Sequence, residues 1–203
     1  MQIPSVHLEH AVDQLSSLPG VGRRTALRLA LDLLKRSDIE IEDFISALNG
    51  LKDKVLRCTT CGNISDTPIC GICNNPKRDA SIICVVEDIR DVMAIESTST
   101  YNGRYHVLGG LISPMDGIGP QDLNITTLPT RIEKDQPKEI ILALSPTMEG
   151  DTTNFYLYKK IKDYDLLVTR ISRGIAVGSE LQYADELTLG RSLQQRQVFD
   201  FAQ

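Results

Sequence analysis

Residues 58 to 73 read Cys58-Thr-Thr-Cys61-Gly-Asn-Ile-Ser-Asp-Thr-Pro-Ile-Cys70-Gly-Ile-Cys73, and this stretch decides how the rest of the chain divides. A Cys-x-x-Cys turn aims two thiolates at one point. Two such turns close a tetrahedron around zinc and leave no coordination position for water, so the site is structural rather than reactive. Gly62 and Gly71 stand beside the ligands, where a tight loop favours a residue without Cβ. Two disulfides or a redox dithiol form the competing reading. Against it, no secretory signal is visible, and a redox motif needs no matching partner so close by. The expected cofactor is one structural Zn2+ held by Cys58, Cys61, Cys70 and Cys73. Cys84, in the run Ser-Ile-Ile-Cys-Val-Val, reads as a small buried apolar residue.

Upstream of the cysteines the apolar pattern is helical. Leu8, Ala11, Val12 and Leu15 share one face, Leu18-Pro19-Gly20-Val21-Gly22 breaks it, and Ala26, Leu27, Leu29, Ala30, Leu33 and Leu34 resume it. A third helix is predicted from Ser37 or Asp38 through Phe44, Ile45, Leu48 and Leu51, with an interruption at Gly50. The net charge of -5 is unevenly spread. Arg23, Arg24, Arg28, Lys35 and Arg36 outnumber Glu9, Asp13 and Asp32 at the front, and Arg57, Lys77 and Arg78 outnumber Asp66 around the cysteines, while acidic residues prevail elsewhere.

Downstream, short apolar runs alternate with amphipathic stretches. Strands are predicted at 82–86, 105–108, 139–144 and 166–171, with helices at 88–95, 127–134 and 154–161, where Pro129 fits only a first turn. Strands that read as unbroken Val, Ile and Leu are buried on both faces, which implies a mostly parallel sheet with helices on each side. A glycine-rich loop spans Gly109 to Gly119. The tail from Gly174 holds a strand-like piece and a helix whose Leu187, Leu189 and Leu193 form a narrow apolar stripe that needs a partner, for which another subunit is a candidate. The chain's 203 residues are 41% hydrophobic and contain no run long enough to cross a membrane, so a soluble protein is expected. His7, His10 and His106 read as structural, and no phosphate-binding loop ends in Lys-Ser or Lys-Thr.

Residues 18 to 22, set between two helices, resemble the hairpin of a helix-hairpin-helix DNA-binding motif. Gly20 and Gly22 let backbone N–H groups approach a phosphate, the next helix adds its positive end, and Arg23, Arg24 and Arg28 bring guanidinium groups to the same place. Contacts of this kind go to the backbone, so binding should be independent of base sequence and sensitive to salt. An ordinary αα-turn with a solvated arginine face is the plain alternative. Val85-Val86-Glu87-Asp88 and Leu144-Ser145-Pro146-Thr147-Met148-Glu149-Gly150-Asp151 resemble the two acidic motifs of a Toprim domain, the fold shared by topoisomerases and primases. Laid onto the topoisomerase pattern, its two metal-holding aspartates fall at Ser145 and Thr147. A hydroxyl replaces an anionic magnesium ligand poorly, so Mg2+ and phosphoryl transfer are not expected. Glu87, Glu149 and Asp151 remain as an acidic patch for partner binding or weak metal binding, or as helix N-terminal charges suited to the dipole.

Together the hairpin at 18–22, the cysteines, Val-Val-Glu-Asp at 85–88, Gly-Gly-Leu-Ile-Ser-Pro-Met-Asp-Gly-Ile-Gly-Pro at 109–120, Glu-Gly-Asp at 149–151 and the tail at 174–193 resemble the RecR family of bacterial recombination mediators. Arg24 stands where that family usually has lysine, and Asp151 where it usually has glutamate. The resemblance implies an α+β chain of four segments: a helix-hairpin-helix DNA-binding segment at 1–56, a four-cysteine zinc finger at 57–78, an α/β Toprim domain at 79–173 and a C-terminal strand and helix for oligomerisation at 174–203. It also implies a non-enzymatic mediator that binds DNA regardless of sequence. Such a protein forms a tetrameric ring, works with RecO and RecF to load recombinase on single-stranded gaps, and resides in the bacterial cytoplasm with the nucleoid. The alternative is a magnesium-dependent Toprim nuclease or primase.

Overall fold

The structure, a computed structural model, describes residues 3–175, 177–196 and 198. It divides into two compact units, residues 1–55 and 56–203. In the first, α1 (Val6–Ser16) is capped by the Ser5 hydroxyl, which accepts from the Leu8 N–H. The chain then turns at Leu18–Gly22 into α2 (Arg23–Leu33). Val12, Ala26 and Ala30 form the buried contact, joined by Leu8, Ala11, Leu15, Val21 and Leu27; alanines one helical turn apart let the two helices approach closely. The third helix, α3 (Asp38–Asp53), begins at a Ser37–Glu40 capping box. It runs through Gly50 without the expected break, because a single helical glycine costs only about 1 kcal/mol. No residue of α3 is buried.

The second unit opens with two short antiparallel strands, β1 (Leu56–Arg57) and β2 (Ile64–Ser65), that carry the cysteine turns. There follow β3 (Asp79–Val86), α4 (Ile89–Ser97), β4 (Gly103–Val107), α5 (Thr127–Asp135), β5 (Glu139–Ala143), α6 (Met148–Ile161), β6 (Leu167–Arg170) and α7 (Glu186–Gln194). The four longer strands form one parallel sheet in the order β4-β3-β5-β6, with Cys84 opposite both Tyr105 and Ile141. Side chains alternate across it as the pleat requires. Ile83, Val85, Ile140 and Leu142 pack with Leu128 and Ile132 of α5 and with Leu157 and Ile161 of α6. Cys84, Val86 and Ala143 pack with Val92 of α4. The result is the helix-covered parallel sheet that the apolar runs predict, and Pro129 sits in the first turn of α5.

Two further elements differ from expectation. Helix α6 begins at Met148 rather than 154, which places Glu149 and Asp151 in its first turn. The strand-like piece after Gly174 forms no strand among the described residues, where only a short 3-10 turn at Leu181–Tyr183 precedes α7. A strand needs a neighbour to complete its hydrogen bonds, and one chain offers none there.

Candidate metal centre and nucleic-acid interface

The ligand atoms of Cys58, Cys61, Cys70 and Cys73 all lie within 4.8 Å of one another. Cys61 Sγ and Cys70 Sγ are 3.6 Å apart. A zinc tetrahedron with bonds near 2.3 Å has sulfur atoms about 3.8 Å apart, so the four thiols fit that ion. Backbone N–H groups of Cys70 and Cys73 donate to Cys58 Sγ at 3.3 Å and Cys70 Sγ at 3.4 Å, the bonds that hold thiolate ligands in place. Hydrogen bonding from Cys61 pulls the Cys73 thiol down to about 6 and the Arg131 charge lowers it further, whereas Cys61 is pushed up. Cys84 is apart from the cluster, and burial pushes its thiol up to about 12, an inert core residue as expected.

The cysteine turns are sewn to the sheet. Val107 at the end of β4 donates its N–H to the Cys61 carbonyl at 2.7 Å, and Asn124 Nδ2 donates to the Val107 carbonyl at 3.1 Å. Gly62 has φ +77°, and a Cβ there would lie 2.7 Å from the Val107 oxygen, so glycine is required by both conformation and space. Gly71 meets nothing within 4 Å and has no left-handed φ, so its expected role in the loop is not needed. Beneath these turns His106 is fully buried, its Nε2–H donating to the Asn124 carbonyl at 2.6 Å. Burial, with the Arg131 charge adding to it, pushes the imidazole down to about 4.

At the hairpin, Gly20 has φ +79° and Gly22 caps α2 without any side-chain bond, leaving the first N–H groups of that helix open. Arg24, Arg28 and Lys35 line an open cleft of about 630 Å3 together with Thr25, Leu27, Leu31 and Asp32, whose carboxylate is paired with Arg36 at 3.1 Å. Arg23 is placed differently: it reaches back to α1, with Nη1 2.5 Å from Asp13 and Nη2 3.3 Å from Glu9. The signal in the sequence that points to Lys35 is its helical spacing to Arg24 and Arg28.

The acidic residues do not converge. Among the described residues the four cysteines alone form a close group of three or more potential metal ligands. The Ser145 hydroxyl donates to Glu87 Oε2 at 3.3 Å, and Thr147 accepts from the Gly150 N–H at 3.1 Å as the cap of α6. Asp151 is held by Arg173, whose Nη1 donates at 3.1 Å and whose bonds keep the carboxyl below its ordinary range, with Arg191 3.9 Å away. Of the three acidic residues Glu87, Glu149 and Asp151, the last is neutralised from the segment beyond β6. Arg173 lies 22 positions from Asp151, so no local pattern signals the pair.

Four family models match the chain in order: the RecR helix-hairpin-helix at residues 8–51, the RecR four-cysteine zinc finger domain at 55–75, the Toprim domain at 81–172 and the RecR C-terminal model at 174–197. The recombination protein RecR of Bacteroides thetaiotaomicron is 57% identical over 198 residues, covering 98% of this chain and 97% of that one. Those of Parabacteroides distasonis and Flavobacterium psychrophilum are 56% and 52% identical, covering 97% and 98% of this chain and 95% and 97% of theirs. The thiol geometry and the matching zinc-finger model together make this a structural zinc site. No helix among the described residues is long and apolar enough to cross a membrane.

Proposed function

The chain belongs to the RecR family, and from that premise we propose that it is a DNA-binding recombination mediator with no catalytic step of its own. In this reading it acts in DNA repair as an oligomeric clamp, with RecO and RecF, that helps load recombinase onto single-stranded gaps. The observation that carries the DNA-binding part is the open N-terminus of α2 flanked by Arg24 and Arg28. Those groups offer backbone donors and guanidinium forks to phosphates whatever the base sequence. Arg23, tied to Glu9 and Asp13, joins the start of α2 to α1, and its charge is balanced by those carboxylates.

The non-enzymatic part is supported by Ser145 and Thr147. Both hydroxyls stand where the Toprim pattern calls for carboxylates, and both are engaged internally. Glu87 and Glu149 are left for a basic partner surface. Assembly is supported by two separate apolar faces: Phe44, Ile45, Leu48 and Leu51 of α3, and Leu181, Tyr183, Leu187 and Leu193 of the tail, all exposed. Two self-complementary patches on one chain close into a ring when each pairs with its like, which is the arrangement of a ring-shaped tetramer.

The test is to incubate the purified protein with nicked, supercoiled and primed single-stranded DNA in magnesium. No nicking, relaxation or primer synthesis is expected. Turnover abolished by Glu87→Gln establishes the enzyme reading instead.

A further inference from the structure

Helix α6 carries a surface that the hairpin, the zinc site and the two assembly faces leave unused. Met148, Thr152, Phe155, Lys159 and Lys162 follow one another at helical spacing along its outer side, with Tyr158 beside Phe155. Phe155 is 61% exposed and Tyr158 49%, while Leu157 and Ile161 on the opposite side are fully buried in the core. Lys159 Nζ stands 4.8 Å from the centre of the Phe155 ring, and Lys160 Nζ 5.8 Å from that of Tyr156. Among the described residues neither lysine makes an ion pair, and Lys162 meets only the exposed Asp163 at 4.0 Å.

Lysines in a last helical turn suit the dipole, which accounts for their charge but not for two bare aromatic rings beside them. We propose that this face of α6 is a second nucleic-acid contact, one that binds single-stranded DNA by stacking bases on Phe155 and Tyr158 while Lys159 and Lys162 hold the phosphates. Flat aromatic faces interleaved with cations take any base, because every base has a π face, and they require the strand to be unpaired. The hairpin, in contrast, grips phosphates and is indifferent to pairing. The two sites would give the protein affinity for duplex and for single strand by different means, as junctions between them demand. The inference rests on the DNA-binding reading above.

The chain has no tryptophan and six tyrosines, so its intrinsic emission comes from tyrosine, and the change lost in Tyr158→Phe is the part that Tyr158 contributes. The full chain is titrated with an oligothymidine about 20 nucleotides long, with a duplex of equal length and with polyglutamate. Tyrosine emission should be quenched by the single strand and not by the duplex. Phe155→Ala with Tyr158→Ala should weaken single-strand binding about fivefold or more and leave duplex binding unchanged. Tyr158→Phe should keep the affinity and lose most of the quenching. Arg24→Glu with Arg28→Glu should weaken the duplex, which separates failure of the hairpin reading from failure of this one. The substituted side chains are exposed, and an unaltered circular-dichroism spectrum confirms that the variants fold. Unchanged single-strand affinity and emission in the double alanine variant overturn the proposal. So does a loss confined to polyglutamate, which makes the face a dock for an acidic protein.

Discussion

Thr147 caps α6, its hydroxyl accepting from the Gly150 N–H. The neighbouring backbone is equally committed: a Cβ on Gly150 would fall 1.9 Å from the Ser145 oxygen, so the chain can enter α6 at this angle only with glycine there. Thr147→Ala should therefore act through the cap and cost about 1 kcal/mol. Urea unfolding measures it, and an unchanged midpoint contradicts the assignment. His106 sets an acid limit. Its pKa is pushed from an ordinary 6.5 to about 4, so the folded state binds fewer protons than the unfolded one between those values. Its neutral form supports the fold above pH 6.5, and stability is lost as pH falls toward 4, by roughly 3 kcal/mol at most. His106→Gln should remove that portion of the slope in unfolding free energy against pH. A slope identical to that of the parent protein contradicts it.

At the scale of elements, the zinc turns and the sheet stand or fall together, because the Cys61 carbonyl takes the N–H of Val107 at the end of β4. Removing zinc, or substituting Cys70→Ser, forfeits on the order of 10 kcal/mol of coupled folding energy. Hydrogen exchange should then show the Val107 amide losing protection; retained protection in metal-free protein would mean the turns hold without the ion. The strands and helices around this junction were legible because apolar runs and apolar periodicity each leave a distinct pattern, and so was the zinc site, whose ligands are close in sequence. The attachment of that site to β4 was not legible, since it runs through backbone groups and through Asn124 in a loop. The early start of α6 was obscured by Gly150, a residue chosen for close approach rather than helix propensity. Nor could Asp151 be seen as spoken for, because its partner Arg173 comes from the other side of β6.

At the scale of the whole molecule, the proposed assembly and the proposed DNA binding rest on different residues and can be tested separately. Leu48→Asp with Leu51→Asp removes apolar surface that is 52% and 66% exposed in the single chain. The pair should lower the mass measured by light scattering while leaving helix content intact, and an unaltered mass removes α3 from the assembly. In the proposed function a cationic hairpin grips phosphate while the Toprim scaffold performs no chemistry. The most direct measurement is duplex affinity as a function of salt, for the parent chain and for Arg24→Glu with Arg28→Glu. Loss of two phosphate contacts should reduce the slope of log affinity against log salt by about two, uniformly across base sequences. An unchanged slope would place the DNA elsewhere on the protein and contradict the account.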